Sequence, residues 1–148
     1  MKLEIGTNFK FSKLARRINK LTNSHIQRTK THIVNTAKRT IDMKKLQKLS
    51  DITVDNRKRG RGWGGDPVPP TSDDTPLKHT GKLYKSLKVT KEGIEGVDYA
   101  LRHQFGKGVP ERKFLPIIDG DKQTPEVVKF QKKLTQKLIK DMNKAMKK

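Results

Sequence analysis

Four histidines are the side chains in this sequence most able to do chemistry. His79 and His103 fall in the same part of the chain as Asp98, Glu111 and Arg112. An imidazole changes charge near neutral pH, so such a pair can serve as general base and general acid, as in a metal-independent nuclease. Their surroundings spell nothing more specific. No nucleophile elbow, phosphate-binding loop or metal-binding His pair is present around them. No cluster of carboxylates suits a divalent ion. The chain has no cysteine, which removes disulfides and thiolate metal sites. His25 and His32 lie seven residues apart on a predicted helix and read as packed or surface residues.

A second kind of chemistry is electrostatic. Arg57, Lys58, Arg59 and Arg61 are interleaved with Gly60 and Gly62 and followed by Trp63, the chain's one tryptophan. Arginine and lysine neutralise phosphates, glycine lets backbone approach closely, and an indole offers a stacking plane. This run is a candidate contact for DNA or for an acidic partner. The whole chain of 148 residues carries a formal charge of +20 and a pI near 10.3. Such a balance favours anionic surroundings. The charge is unevenly placed. Residues 1–62 hold 17 Lys and Arg against 4 Asp and Glu, and residues 121–148 hold 9 against 3. Residues 63–120 hold 9 against 8 and are nearly neutral. No apolar run is long enough to span a bilayer, and the Met1 segment lacks the apolar stretch of a signal peptide.

The elements that must position these residues are legible in part. The length predicts one domain with a small core, since 31% of residues are hydrophobic. Residues 9–41 predict a long helix with a seam at Phe11, Leu14, Ile18, Leu21 and His25. The seam then drifts to Ile26, Ile33, Ala37 and Ile41, with Thr29 and Thr36 between, and Ser12 is a candidate cap. Leu46 and Leu49 either extend this helix toward residue 49 or form a separate turn. At about 1.5 Å per residue the helix is about 50 Å long, more than a small domain covers alone. Residues 50–79 read as an extended basic Gly/Pro-rich loop, with a short strand at Asp51–Val54 and prolines at 67, 69, 70 and 76. Residues 80–118 read as a small sheet region: a turn of helix, a hairpin around Lys91–Gly93, a second short helix from Tyr99 to Phe105, and an edge strand over 112–118. Thr124, Pro125 and Glu126 open a C-terminal helix over 124–146, whose seam is Val127, Phe130, Leu134, Leu138, Met142 and Ala145.

Three blocks in the sheet region come in fixed order. In the first, Thr80 caps, Gly81 permits a sharp turn, Leu83 docks the turn with Leu87, and Ser86 follows. In the second, Tyr99, Ala100 and His103 share a helical face, Gln104 follows, and Gly106 ends the turn with a positive backbone angle. On that face His103 reads as a packing residue. In the third, Pro110 and Arg112 precede Phe114 and Leu115, which point to opposite sides of a strand. Residues 76–115, with these motifs, resemble the bacteriophage virion morphogenesis family. Its members read T-G-x-L-x-x-S, then a hairpin, then Y-A-x-x-H-Q-x-G, then a proline, an arginine and an aromatic-leucine pair. Trp63, ahead of a proline-rich loop, is similar to the family's tryptophan before the T-G block. Lys113 stands where a second proline is common.

What the resemblance implies is an α+β domain: a small antiparallel sheet packed by a long N-terminal helix and a C-terminal helix. It also implies a structural role in a tailed phage, as a ring-forming neck, head–tail connector or tail completion component. Its partners would be further copies of itself, six-fold or twelve-fold, other neck, connector or tail-tube proteins, and genomic DNA in the channel. No catalytic residue, cofactor or metal comes with it, and no membrane. It implies a virion location after synthesis in the host cytoplasm. Two rival expectations stand beside it: a non-specific basic nucleic-acid-binding protein, and a small nuclease using His79 or His103.

Overall fold

The computed structural model describes residues 11–43, 46–62, 65–119 and 122–147. The chain is α+β, with a long helix at each end and short antiparallel pairings between them. The first helix, α1, runs from Phe11 to Asp42. Ser12 therefore lies inside it and is not its cap. It stops seven residues short of the expected limit at 49, and Leu46 packs separately into the core.

Residues 51–54 are helical, not a strand. Asp51–Lys58 forms α2, because Ser50 holds extended backbone and its Oγ accepts from the Thr53 N–H at 3.3 Å. Asp51 then faces the positive end of the helix. The expected extended loop is thus helical at its start, and from Arg59 it folds back on that helix. The Val68 and Thr71 N–H groups donate to the Gly60 and Arg57 carbonyls, at 2.9 and 3.0 Å.

Thr75–Lys78 forms a turn with Pro76 second and Leu77 third, at φ +64°. That is the geometry of a type II turn, which favours glycine in third place. Here Leu77 holds it by packing against the core. A short helix α3 (Lys82–Ser86) follows, then strands β1 (Lys88–Val89) and β2 (Ile94–Glu95) with Val89 opposite Ile94. Helix α4 (Ala100–Phe105) ends at Gly106, whose φ is +68° and whose added Cβ would meet the Glu111 Cβ at 3.2 Å.

The expected edge strand over 112–118 forms only at its end. Strand β3 (Ile117–Asp119) pairs with β4 (Lys122–Gln123), while residues 112–116 are irregular. The backbone N–H groups of that segment are taken by α4 instead of a ladder. Arg112 N donates to the His103 carbonyl at 2.7 Å, and the next two go to a side chain described below.

Helix α5 (Pro125–Met146) runs antiparallel to α1. Arg39 pairs with Glu126 at 2.6 Å, and His32 stacks on Phe130 with ring centres 3.8 Å apart. Thr124 holds the cap position with extended backbone, yet its side chain makes no capping bond. The core gathers one stripe of α1 (Val34, Ala37, Ile41) with Leu46, Leu83, Leu87, Ala100 and Phe114. The expected seam missed Val34 and over-credited Ile26, which is 43% exposed. The reason is that α1 serves two partners. Its residues 34, 37 and 41 face the sheet region, while the stripe through His32 faces α5. No described helix is long and apolar enough to cross a membrane.

Candidate functional site: the signature residues and the basic flanks

The middle block is organised by Gln104, which is fully buried. It sits one turn after Ala100 on the inward face of α4. Its Oε1 accepts from the Phe114 N–H at 3.1 Å and the Leu115 N–H at 2.9 Å, and its Nε2 donates to the Leu115 carbonyl at 3.3 Å. One side chain thus replaces a strand partner for the segment that carries Phe114. That places Phe114, 1% exposed, against Leu83 and Ala100 in the core. Leu115 is half-buried against the same cluster.

Ser86 joins the first block to the second. Its Oγ donates to the Leu83 carbonyl at 2.7 Å and accepts from the Val97 N–H at 3.1 Å. Thr80 lies one residue ahead of the helix cap, which is Gly81 at φ +68°. Its Oγ1 still accepts from the Lys82 N–H at 3.3 Å. Tyr99 stands edge-on to His103, ring centres 6.1 Å apart.

Arg112 is buried and ties this region to the chain after α1. Its Nε donates to the Gln47 carbonyl and its Nη1 to the Pro110 carbonyl, at 3.3 and 3.4 Å. Burial lowers its pKa. The His103 imidazole is also pushed down, by burial first and then by the Arg112 charge, with the Pro110 backbone acting the other way. Its Nδ1 is buried without a partner. His79 is lowered by burial and then by Arg57. Each histidine of the block therefore neighbours an arginine that favours the neutral ring. Arg57 and Arg112 also sense each other's charge, which lowers the Arg57 pKa further. A groove of about 340 Å³ runs between Thr36 and Thr40 of α1, residues 113–116 and the start of α5, and no histidine lines it. Among the described residues no three His, Asp or Glu side chains gather as a metal site.

The basic run does not act as one surface. Arg57 is buried, and its Nη1 donates to the Asp73 and Thr75 carbonyls at 3.0 and 2.9 Å. It is a structural clamp closing the loop on α2, which corrects its assignment as a DNA contact. Arg59 pairs with Asp55 at 2.9 Å. Lys58 and Arg61 are exposed, and Trp63 lies outside the described residues. Two contacts were invisible to pattern reading. Asp42 accepts from Lys78 at 2.7 Å and from the Tyr84 hydroxyl at 2.9 Å, tying the end of α1 to the first block. Lys30 Nζ donates to the Thr90 and Lys91 carbonyls, which holds the hairpin turn on α1.

On the outward side of α4, Leu101 is 57% exposed and Phe105 is 41% exposed. They are four residues apart and share a face. The hairpin has only two strands. Exposed apolar side chains that share a face are the kind of surface a second chain covers. Comparison with family models, with curated proteins and with solved structures finds no match to this chain.

Proposed function

We propose that this chain is a structural component of a tailed-phage particle, a neck or tail completion protein whose copies close into a ring. The observation that carries the reading is the use made of the three blocks. Thr80, Gly81, Leu83, Ser86, Ala100, Gln104, Gly106, Arg112 and Phe114 turn, clamp or fill. The groove that Phe114 and Leu115 border holds no histidine. A sequence pattern spent on packing supports an assembly role over catalysis. The apolar side chains left outside, Leu101 and Phe105, supply a face for the neighbouring copy. Repetition of a head-to-tail contact closes a ring when the rotation permits, six-fold or twelve-fold in this reading. The ring joins the head connector to the tail tube.

The test has two arms. Particles carrying a label at the C-terminus, imaged by negative stain, show it at the head–tail junction. Label elsewhere, or none, overturns the reading. Phe105→Asp keeps the monomer folded, by circular dichroism, and abolishes the ring by analytical ultracentrifugation. A ring that survives Leu101→Asp and Phe105→Asp removes α4 from the interface.

A further inference from the structure

We propose that the two-helix arm, built from the N-terminal part of α1 and the body of α5, is a docking surface for duplex nucleic acid held through its phosphates. The inference goes beyond the proposed function and does not depend on ring formation.

Lys13, Arg16, Arg17 and Lys20 recur at steps of three, one and three, so they form one stripe along α1. All four are exposed. The stripe borders the half-buried seam of Leu14, Ile18 and Leu21, with Arg17 one turn from Leu14 and from Leu21. On α5, Lys132, Lys133, Lys137 and Lys140 are likewise exposed, flanking the half-buried Leu134 and Leu138. None of these eight takes part in an ion pair among the described residues. The acidic partners are engaged elsewhere: Asp42 with Lys78, Asp55 with Arg59, Glu95 with Lys88, Glu111 with Lys113, and Glu126 with Arg39. Asp141 is the one carboxylate on residues 11–32 and 127–146, so the arm's cations are in large excess.

Geometry selects the class of partner. The α1 stripe from Lys13 to Lys20 spans about 10 Å and the α5 lysines from 132 to 140 about 12 Å, at about 1.5 Å per residue. Over each of those lengths a duplex presents about six or seven phosphate charges, one per roughly 1.7 Å. Each run of four cations thus meets a line of anions at least as dense as itself. Carboxylates on an acidic protein surface are sparser than that. Contacts of this kind fix position and carry no base sequence. The basic run after α2, with Arg57 buried and Arg59 paired, is not the principal site.

The experiment is fluorescence anisotropy of the full chain with labelled 20-base-pair duplexes of DNA and of RNA, in 50–200 mM NaCl. The wild type loses on the order of ten-thousandfold in affinity across that range. Lys13→Gln, Arg16→Gln, Arg17→Gln and Lys20→Gln together lower the log–log salt slope by about 3 to 4, at about 0.9 per phosphate. The corresponding change at Lys132, Lys133, Lys137 and Lys140 does the same, and Lys58→Gln with Arg61→Gln shifts the slope less than either. Glutamine keeps helix propensity, and circular dichroism confirms the fold of each variant. Binding of both duplexes, or of either alone, supports the proposal. Wild-type binding without salt dependence overturns it, as do arm variants with the wild-type slope. So does polyglutamate that competes with duplex charge for charge, which would transfer the arm to an acidic protein. Should an arm variant fail to fold, the wild-type salt titration and the polyglutamate competition still decide.

Discussion

The region of residues 75–116 and the arm of α1 and α5 solve opposite problems with similar material. The first is compact and holds 9 Lys and Arg against 4 Asp and Glu, where the arm holds 14 against 3. Its elements are each only a few residues long, so regular hydrogen bonding alone cannot hold them. Polar side chains do that work by bonding backbone: Gln104 to residues 114 and 115, Ser86 to 83 and 97, Arg57 to 73 and 75, Arg112 to 47 and 110. The arm is the reverse. Its two helices satisfy their own backbone, and what they lack is cover. Leu14, Ile18, Leu21, Leu134, Leu138 and Met142 are all only half-buried. The difference teaches that burial is concentrated where the excess of positive charge is smaller. The arm gives up burial and in exchange presents an elongated cationic surface.

The comparison predicts unequal costs for removing apolar side chains. Phe114→Ala empties a fully buried site and destabilises the chain by about 3–5 kcal/mol. Leu138→Ala, in the arm, loses a half-buried side chain and costs about 1–2 kcal/mol. Urea unfolding followed by circular dichroism reads both. Equal costs would mean that the arm is as tightly packed as the core and that the contrast is false. Phe105→Ala belongs with the smaller class, since Phe105 is exposed.

The polar clamps are the next test. Gln104→Met keeps the volume and removes the acceptor for two backbone N–H groups. Leaving them unpaired in the interior costs about 1–3 kcal/mol. Hydrogen exchange at the Phe114 and Leu115 amides should accelerate more than at amides within α5. Unchanged protection at those two positions would show that the segment is held by something other than Gln104.

These two contrasts also mark what the sequence could disclose. Both long helices, the hairpin turn at Lys91–Gly93, the α4 stop at Gly106 and the α+β class were legible, because each follows from periodicity or from one residue's backbone preference. Helix α2 was not. Ser50 and Asp51 are an adequate start signal, but Ile52 and Val54 alternate as a strand would, and Ile52 proves 76% exposed. The fate of Arg57 was hidden for a different reason. Nothing in a run of arginines, lysine and glycines says which guanidinium will find backbone carbonyls, since those carbonyls belong to residues 73 and 75 across the loop. Gln104 was visible as part of a motif, and its role was not, because its partners lie ten and eleven residues on. Exposure of Phe105 followed from the register of α4, whose six residues show too little periodicity to assign an inward face.

The smallest effect expected is with pH, and it separates the two regions by titration. His103 sits below the ordinary histidine value because burial and the Arg112 charge both disfavour the imidazolium, and His79 is lowered in the same sense beside Arg57. A histidine whose folded pKa is depressed takes up protons more readily when the chain is unfolded. Stability from this source is complete above the unfolded value of 6.5 and declines as pH falls from there toward the lower folded value. Asp42, whose pKa is lowered chiefly by its bond with Lys78, contributes only on approach to the ordinary carboxylate value of 3.8 and below. Urea midpoints between pH 7.5 and 5 therefore isolate the histidines. The wild type should weaken steadily below 6.5, and His103→Gln should show a shallower slope, because glutamine has no proton to gain. Identical slopes in the two proteins would assign the acid sensitivity away from His103, and residues 75–116 would no longer be the part of the molecule that acid loosens first.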